Sequence, residues 1–115
     1  MKKRLGMQGE EKAVGFLTAK GYKVIGRNFY TRYGEIDIIC TKGNDLIFVE
    51  VKTRTSLKYG YPEESITPKK IEHLKKAALI FMNSMYNNHH RMRFDVITIL
   101  ILDGKETINH IKDAF

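Results

Sequence analysis

The feature that most narrows what this chain can fold into is a pair of strand-like runs, Gly34 to Thr41 and Leu46 to Arg54, separated by Lys42-Gly43-Asn44-Asp45. Gly, Asn and Asp tolerate the backbone angles of a tight turn, so the second run is predicted to fold back as the antiparallel partner of the first. Side chains alternate across a strand. That places Glu35 and Asp37 on one face of the first run, with Ile36 and Ile38 on the other. In the second run Ile47, Val49 and Val51 form an apolar face, and Phe48, Glu50, Lys52 and Arg54 form the opposite one. Pairing across the turn brings three carboxylates and an ammonium toward each other within otherwise apolar surroundings.

The remaining elements follow from periodicity. Leu5 to Lys20 carries Leu5, Ala13, Val14, Leu17 and Ala19 near helical spacing, with Gly21 placed as a C-terminal cap. Tyr22 to Asn28 reads as a strand, and Thr55 to Thr67, which holds Tyr59, Gly60, Tyr61 and Pro62, as a long loop of the kind that often carries function. Pro68 suits the first turn of a helix capped by Thr67, and Ile71, Leu74, Ala78, Phe81, Met82 and Met85 repeat at three and four residues through about Tyr86 as a core-packing stripe. Arg93 to Leu102 reads as a strand, Asp103-Gly104 as a turn and Thr107 to Ile111 as its hairpin partner. The order α-β-β-β-α-β-β predicts an α/β fold, a mixed central sheet flanked by helices. At 115 residues, with no repeat or linker, residues 1–115 are expected to form a single domain.

Several classes are set aside at once. No apolar run approaches the roughly 18 residues of a membrane span, and Met1-Lys2-Lys3-Arg4 leads into a charged stretch, so a cytoplasmic protein with no membrane partner is expected. Cys40 is the only cysteine, which rules out an intramolecular disulfide, and its place beside Ile38 and Ile39 predicts a buried small apolar residue. Twenty Lys and Arg against 13 Asp and Glu give a net charge of +7, a balance that favours a polyanionic partner.

Mg²⁺ and Mn²⁺ take hard oxygen ligands, commonly one or two carboxylates with water and phosphate oxygens, and Asp37 and Glu50 can supply the carboxylates. Such an ion neutralises charge on a phosphodiester under attack and activates water, and Lys52 lies one pleat away to orient that water. The same residues would also suit an exposed strand face laced with cross-strand ion pairs. Arg54, Lys58, Tyr59 and Tyr61 follow the strand directly and can cradle a nucleic-acid backbone and stack on bases, or cover the edge of the core. Lys70 either reaches a phosphate or is solvated beside Lys69. His89 and His90 are adjacent with no other ligand-like residue near them, which predicts a solvated loop.

Asp37, followed after 12 intervening residues by Glu50-Val51-Lys52, resembles the signature of the PD-(D/E)xK nuclease superfamily. Gly6-Met7-Gln8-Gly9-Glu10, Gly34-Glu35-Ile36-Asp37, Phe48-Val49-Glu50-Val51-Lys52-Thr53-Arg54 and Arg93-Phe94-Asp95-Val96 resemble, in order, the YraN-like bacterial family, over nearly the whole chain. That family is itself largely uncharacterised and is similar to archaeal Holliday-junction resolvases. The resemblance implies a restriction endonuclease-like core and a metal-dependent endonuclease acting on DNA by structure rather than sequence, on branched or single-stranded forms. It matches Glu10 to the acidic residue on the first helix of resolvase-like members, Asp37 and Glu50 to the metal-binding acids, Lys52 to the motif lysine and Lys70 to a basic position, with the Val51 carbonyl as a further metal ligand. Glu35 belongs to the pattern either as a site residue or as a partner of Arg32 or Arg54. Ile36 replaces the superfamily's proline, and no Gln follows Lys52, Gln8 being the only one. Resolvase-like relatives cut as dimers, so a homodimer is expected. A non-catalytic nucleic-acid-binding module and a partner subunit of a DNA-processing complex are the alternatives.

Overall fold

A computed structural model describes residues 2–58, 60–84 and 91–115, with side chains from residue 6 onward. Helix α1 (Lys2–Ala19) is followed by strands β1 (Lys23–Thr31), β2 (Gly34–Lys42) and β3 (Asp45–Arg54), helix α2 (Pro68–Asn83), and strands β4 (Arg91–Leu102) and β5 (Lys105–Ile111). The chain leaves α1 through Gly21, whose φ of 88° costs an L side chain but not glycine. Its N–H donates to the Thr18 carbonyl and that of Tyr22 to the Leu17 carbonyl, both at 3.0 Å, so the last turn is closed and buried Tyr22 is delivered to the sheet. At the start of α2, Thr67 Oγ1 accepts from the Lys70 N–H at 3.2 Å and Pro68 fills the first turn. The expected long loop contains a short 3₁₀ turn, Pro62–Ser65, that buries Pro62. Tyr59, Met85, Tyr86, His89 and His90 lie outside the described residues.

The strands form one mixed sheet in the order β1-β2-β3-β4-β5, antiparallel except for the β3–β4 pair, which α2 connects as a crossover. On one face Ala13 and Leu17 of α1 pack with Ile38, Cys40, Ile47, Val49, Ile97 and Ile99. On the other, Leu74, Ala77 and Ala78 of α2 pack with Ile36, Ile39, Leu46, Phe48 and Phe94. A strand covered on both faces is apolar at every position, which is why Ile38-Ile39-Cys40 and Leu46 to Val49 lose their alternation of polarity. Cys40 is buried and free, with burial pushing its thiol up to about 12. No described helix is long and apolar enough to cross a membrane.

One expectation fails in an informative place. Ile36 and Ile38 were predicted to share a face, yet Ile38 packs with α1 and Ile36 with α2. The partner strand switches in step: Arg27, paired with Ile38, reaches Glu11 of α1 at 2.7 Å, whereas Phe29, paired with Ile36, packs on the α2 side against Phe81. Between them Asn28 adopts a φ of 51°, a left-handed conformation that Asn tolerates better than most side chains. The twist through Asn28 and Asp37 resets both strands. Pairing of β2 with β3 stops at the same level, the last partners being Ile38 and Val49.

On β4, opposite Val49, Asp95 is fully buried and bound by Arg93 Nε and Nη2, both at 2.9 Å, His110 Nε2 at 2.7 Å and the Asp113 N–H at 3.0 Å. Arg93 also donates to Tyr22 Oη and to Asp45, so one guanidinium ties β4 to β3 and to the connection between α1 and β1. Burial alone would raise the Asp95 carboxyl, but the bonds from His110, Arg93 and Asp113 hold it below the ordinary carboxylate range.

Candidate active site

Where β2 and β3 part, a cleft of about 680 Å³ opens, and Glu10, Glu35, Asp37, Glu50, Val51, Lys52, Arg54 and Lys70 all line it. The residues singled out from sequence on four separate elements are thus neighbours; Lys58 and Tyr61 are exposed and outside the cleft lining, and Tyr59 lies outside the described residues. Glu10 comes from α1. Its neighbour Gly9 helps the helix get close: a Cβ there would run into Thr53 Oγ1 of β3, so glycine allows this approach with the Thr53 side chain where it is.

One carboxylate oxygen each from Glu10, Glu35 and Asp37 lies within 4.8 Å of the other two. With its carboxamide nitrogen assigned to the side facing the acids, Asn28 donates to Glu10 Oε1 at 2.8 Å and Glu35 Oε1 at 2.7 Å. Asp37 Oδ2 accepts the Val51 N–H at 2.8 Å. Glu50 is 3% exposed, with Oε2 at 3.2 Å from Lys70 Nζ but accepting no hydrogen bond of normal geometry. Lys70 therefore stands inside the cleft as a counter-ion rather than beside Lys69 in solvent. Lys52 lines the cleft half-buried, without an ion pair among the described residues. Arg54 donates to its neighbour's carbonyl, Thr53 O, at 3.0 Å.

Crowded acids with little solvent resist ionisation. Burial, followed by the hydrogen bond to Glu50 and by the Glu50 charge, pushes the Asp37 carboxyl up to about 9, toward its protonated form. Burial and then Glu35 raise Glu10. A site of this kind could hold a cation. The donors are all oxygen, as a hard divalent ion prefers, and a buried carboxylate oxygen without a proper donor is the sort of atom such an ion satisfies. Glu10, Glu35 and Asp37 could hold it together, with Glu50 in the same cleft.

Asn28 was not singled out from sequence, because its role depends on a backbone twist that no local pattern announces. Arg93, Asp95 and His110 were likewise given no role; a charged pair two residues apart in an apolar strand was the available signal.

The family model of Uncharacterised protein family UPF0102 matches residues 9–99, most of the chain. The chain belongs to UPF0102. A UPF0102 protein of Syntrophomonas wolfei is 51% identical over 115 residues, covering 100% of both chains. One from Caldicellulosiruptor saccharolyticus is 48% identical, covering 99% of this chain and 98% of its own. One from Bifidobacterium longum is 42% identical, covering 98% and 94%. The resemblance to the YraN-like family is therefore correct at the level of UPF0102. The UPF0102 match begins at Gly9, the residue that lets α1 approach β3, and runs through every strand that contributes to the cleft.

Proposed function

We propose that this UPF0102 protein is a metal-dependent DNA endonuclease with a restriction endonuclease-like, PD-(D/E)xK-type core, hydrolysing phosphodiester bonds in branched or single-stranded DNA. The observation that carries this reading is the joint placement of Glu10, Asp37, Glu50 and Lys52 in one cleft at the fork between β2 and β3, with Glu50 buried to 3% exposure. A decorative surface ion-pair network would not bury a carboxylate so deeply with one oxygen poorly satisfied.

When bound, Mg²⁺ or Mn²⁺ would supply charge neutralisation at the scissile phosphate and a more acidic water. The chain does the rest. The Val51 N–H fixes Asp37, so its second oxygen stays aimed without cost at the moment of reaction. Lys52 places a compact positive charge in the cleft, able to orient the attacking water and to stabilise charge on the phosphate oxygens. Lys70 and Arg54 bring further positive charge to the same opening, which favours a phosphate backbone over neutral ligands. The net charge of +7 acts over longer range, and a homodimer in the cytoplasm acting on a junction is the working form this reading favours.

The direct test is metal-dependent nicking of a panel of branched, single-stranded and duplex DNA beside a Glu50→Ala control. Cleavage by wild type and none by the variant supports the reading. DNA binding without cleavage in any metal would favour a non-catalytic module, and the absence of both would favour a partner subunit.

A further inference from the structure

We propose that Asn28 is a positioning residue of this site, holding Glu10 and Glu35 in place so that each keeps one oxygen free for a divalent cation shared with Asp37. The inference rests on the metal-centre reading above and assigns the purpose of a residue that stands outside the superfamily motif.

Two carboxylates brought together without a cation repel each other, and α1 and β2 would relax apart if nothing lay between their acids. The Asn28 carboxamide lies between them. Its two N–H groups satisfy Glu10 Oε1 at 2.8 Å and Glu35 Oε1 at 2.7 Å, one hydrogen to each acid. Because the group is neutral, it bridges the acids without cancelling the negative potential that attracts a cation; a Lys or Arg in its place would occupy the site electrostatically. Each glutamate has a second carboxylate oxygen not used by Asn28, and one oxygen from each of Glu10, Glu35 and Asp37 lies within 4.8 Å of the other two.

The backbone at Asn28 is committed to this task. Its φ of 51° interrupts alternation in β1 just where β2 switches faces, so the side chain is turned toward the acids instead of into either apolar core. Strained conformations persist where the surrounding structure demands them and gather at functional sites. A separate observation in the same cleft is Glu50, 3% exposed, whose Oε2 has the Lys70 ammonium at 3.2 Å but accepts no hydrogen bond of normal geometry.

The test is Mn²⁺ titration of the purified full chain, followed by calorimetry and by the electron paramagnetic signal of free Mn²⁺, with metal-free thermal melts alongside. Asn28→Gly keeps the left-handed backbone and removes the bridge; it should weaken Mn²⁺ binding by about tenfold, the lower range for losing an outer-shell partner, with a cooperative melt retained. Glu35→Gln should weaken binding too, and adding Asn28→Gly to it should cost much less than the same change in wild type, because the bridge has already lost one of its two acids. If Asn28→Gly does not fold, Asn28→Ser, which keeps one donor, should fall between wild type and Glu35→Gln. Equal Mn²⁺ affinity for wild type and a folded Asn28 variant, or full additivity in the double variant, would overturn the positioning role while leaving the metal centre standing. Failure of wild type itself to bind Mn²⁺ would remove the metal centre and this role together.

Discussion

The backbone N–H of Val51 donates to Asp37 Oδ2 at 2.8 Å, so a side chain takes up the donor left over where the β2–β3 ladder ends at Ile38 and Val49. Strands that part within a packed domain normally leave unpaired backbone groups, which are costly when buried. Here that requirement and the requirement for a fixed carboxylate are met by one bond. The fork creates the cleft, and the bond holds both its walls in register.

Asp37 sets the pH behaviour of the metal-free protein. Its carboxyl, raised by burial and by Glu50 from an ordinary 3.8 to about 9, favours the protonated form in the fold. A raised group contributes stability that is complete below the ordinary value and is lost as pH rises through the folded value. Metal-free wild type should therefore lose melting temperature between about pH 5 and 9, and Asp37→Asn, permanently neutral, should lose less. Melting curves across that range in chelator give the answer. The same variant should abolish Mn²⁺ binding in calorimetry.

Lys52 separates catalysis from binding. Lys52→Ala should retain Mn²⁺ affinity and most DNA affinity while cleavage falls by about two or more orders of magnitude, the scale of losing one transition-state donor. Lys52→Arg should not rescue it, since a planar guanidinium cannot place the same compact charge. Equal cleavage by wild type and Lys52→Ala would reduce this lysine to a structural cation.

DNA affinity should depend steeply on salt. On duplex DNA the log–log slope should approach about −0.9 per neutralised phosphate, and Lys70→Ala or Arg54→Ala should each reduce it by about one such unit. Binding isotherms between low and physiological salt measure this. Unchanged slopes would place the contacts elsewhere.

Gly9→Ala tests the close approach of α1. Its Cβ would collide with Thr53 Oγ1, so either Thr53 must turn or the helix must move and carry Glu10 with it, at a cost of about 1–3 kcal/mol. The expected result is a lowered melting temperature together with weaker Mn²⁺ binding. Gly15→Ala, where the added carbon meets nothing within 4 Å, is the matched control and should be neutral or slightly stabilising.

Arg93→Ala should be among the most damaging single changes away from the cleft. It leaves the Asp95 carboxylate, fully buried, with His110 and one N–H, and breaking a buried pair from one side costs about 3–5 kcal/mol. Because Asp95 is held below its ordinary range, its stabilising contribution is present above that range and is lost as pH falls. Denaturant unfolding of wild type and variant at neutral and acidic pH checks both the magnitude and the direction.

The order of elements was legible in the sequence because each depends on neighbours a few residues away: Thr67 and Pro68 start α2, Gly21 ends α1, and Gly43-Asn44 with Asp103-Gly104 reverse the chain. The face of β3 was legible as well, because β3 keeps strict alternation from Leu46 to Val51. The acids could be named from their spacing, yet Ile36 and Ile38 were placed on one face because period two carries no notice of where a strand stops obeying it. That interruption is decided by the fork, by the twist at Asn28 and by two helices that cover opposite faces. The same holds for Lys70 on Glu50, for Asn28 between two glutamates and for Arg93 on Asp95. Each joins residues far apart in the chain, through side-chain directions that exist only once the sheet has formed.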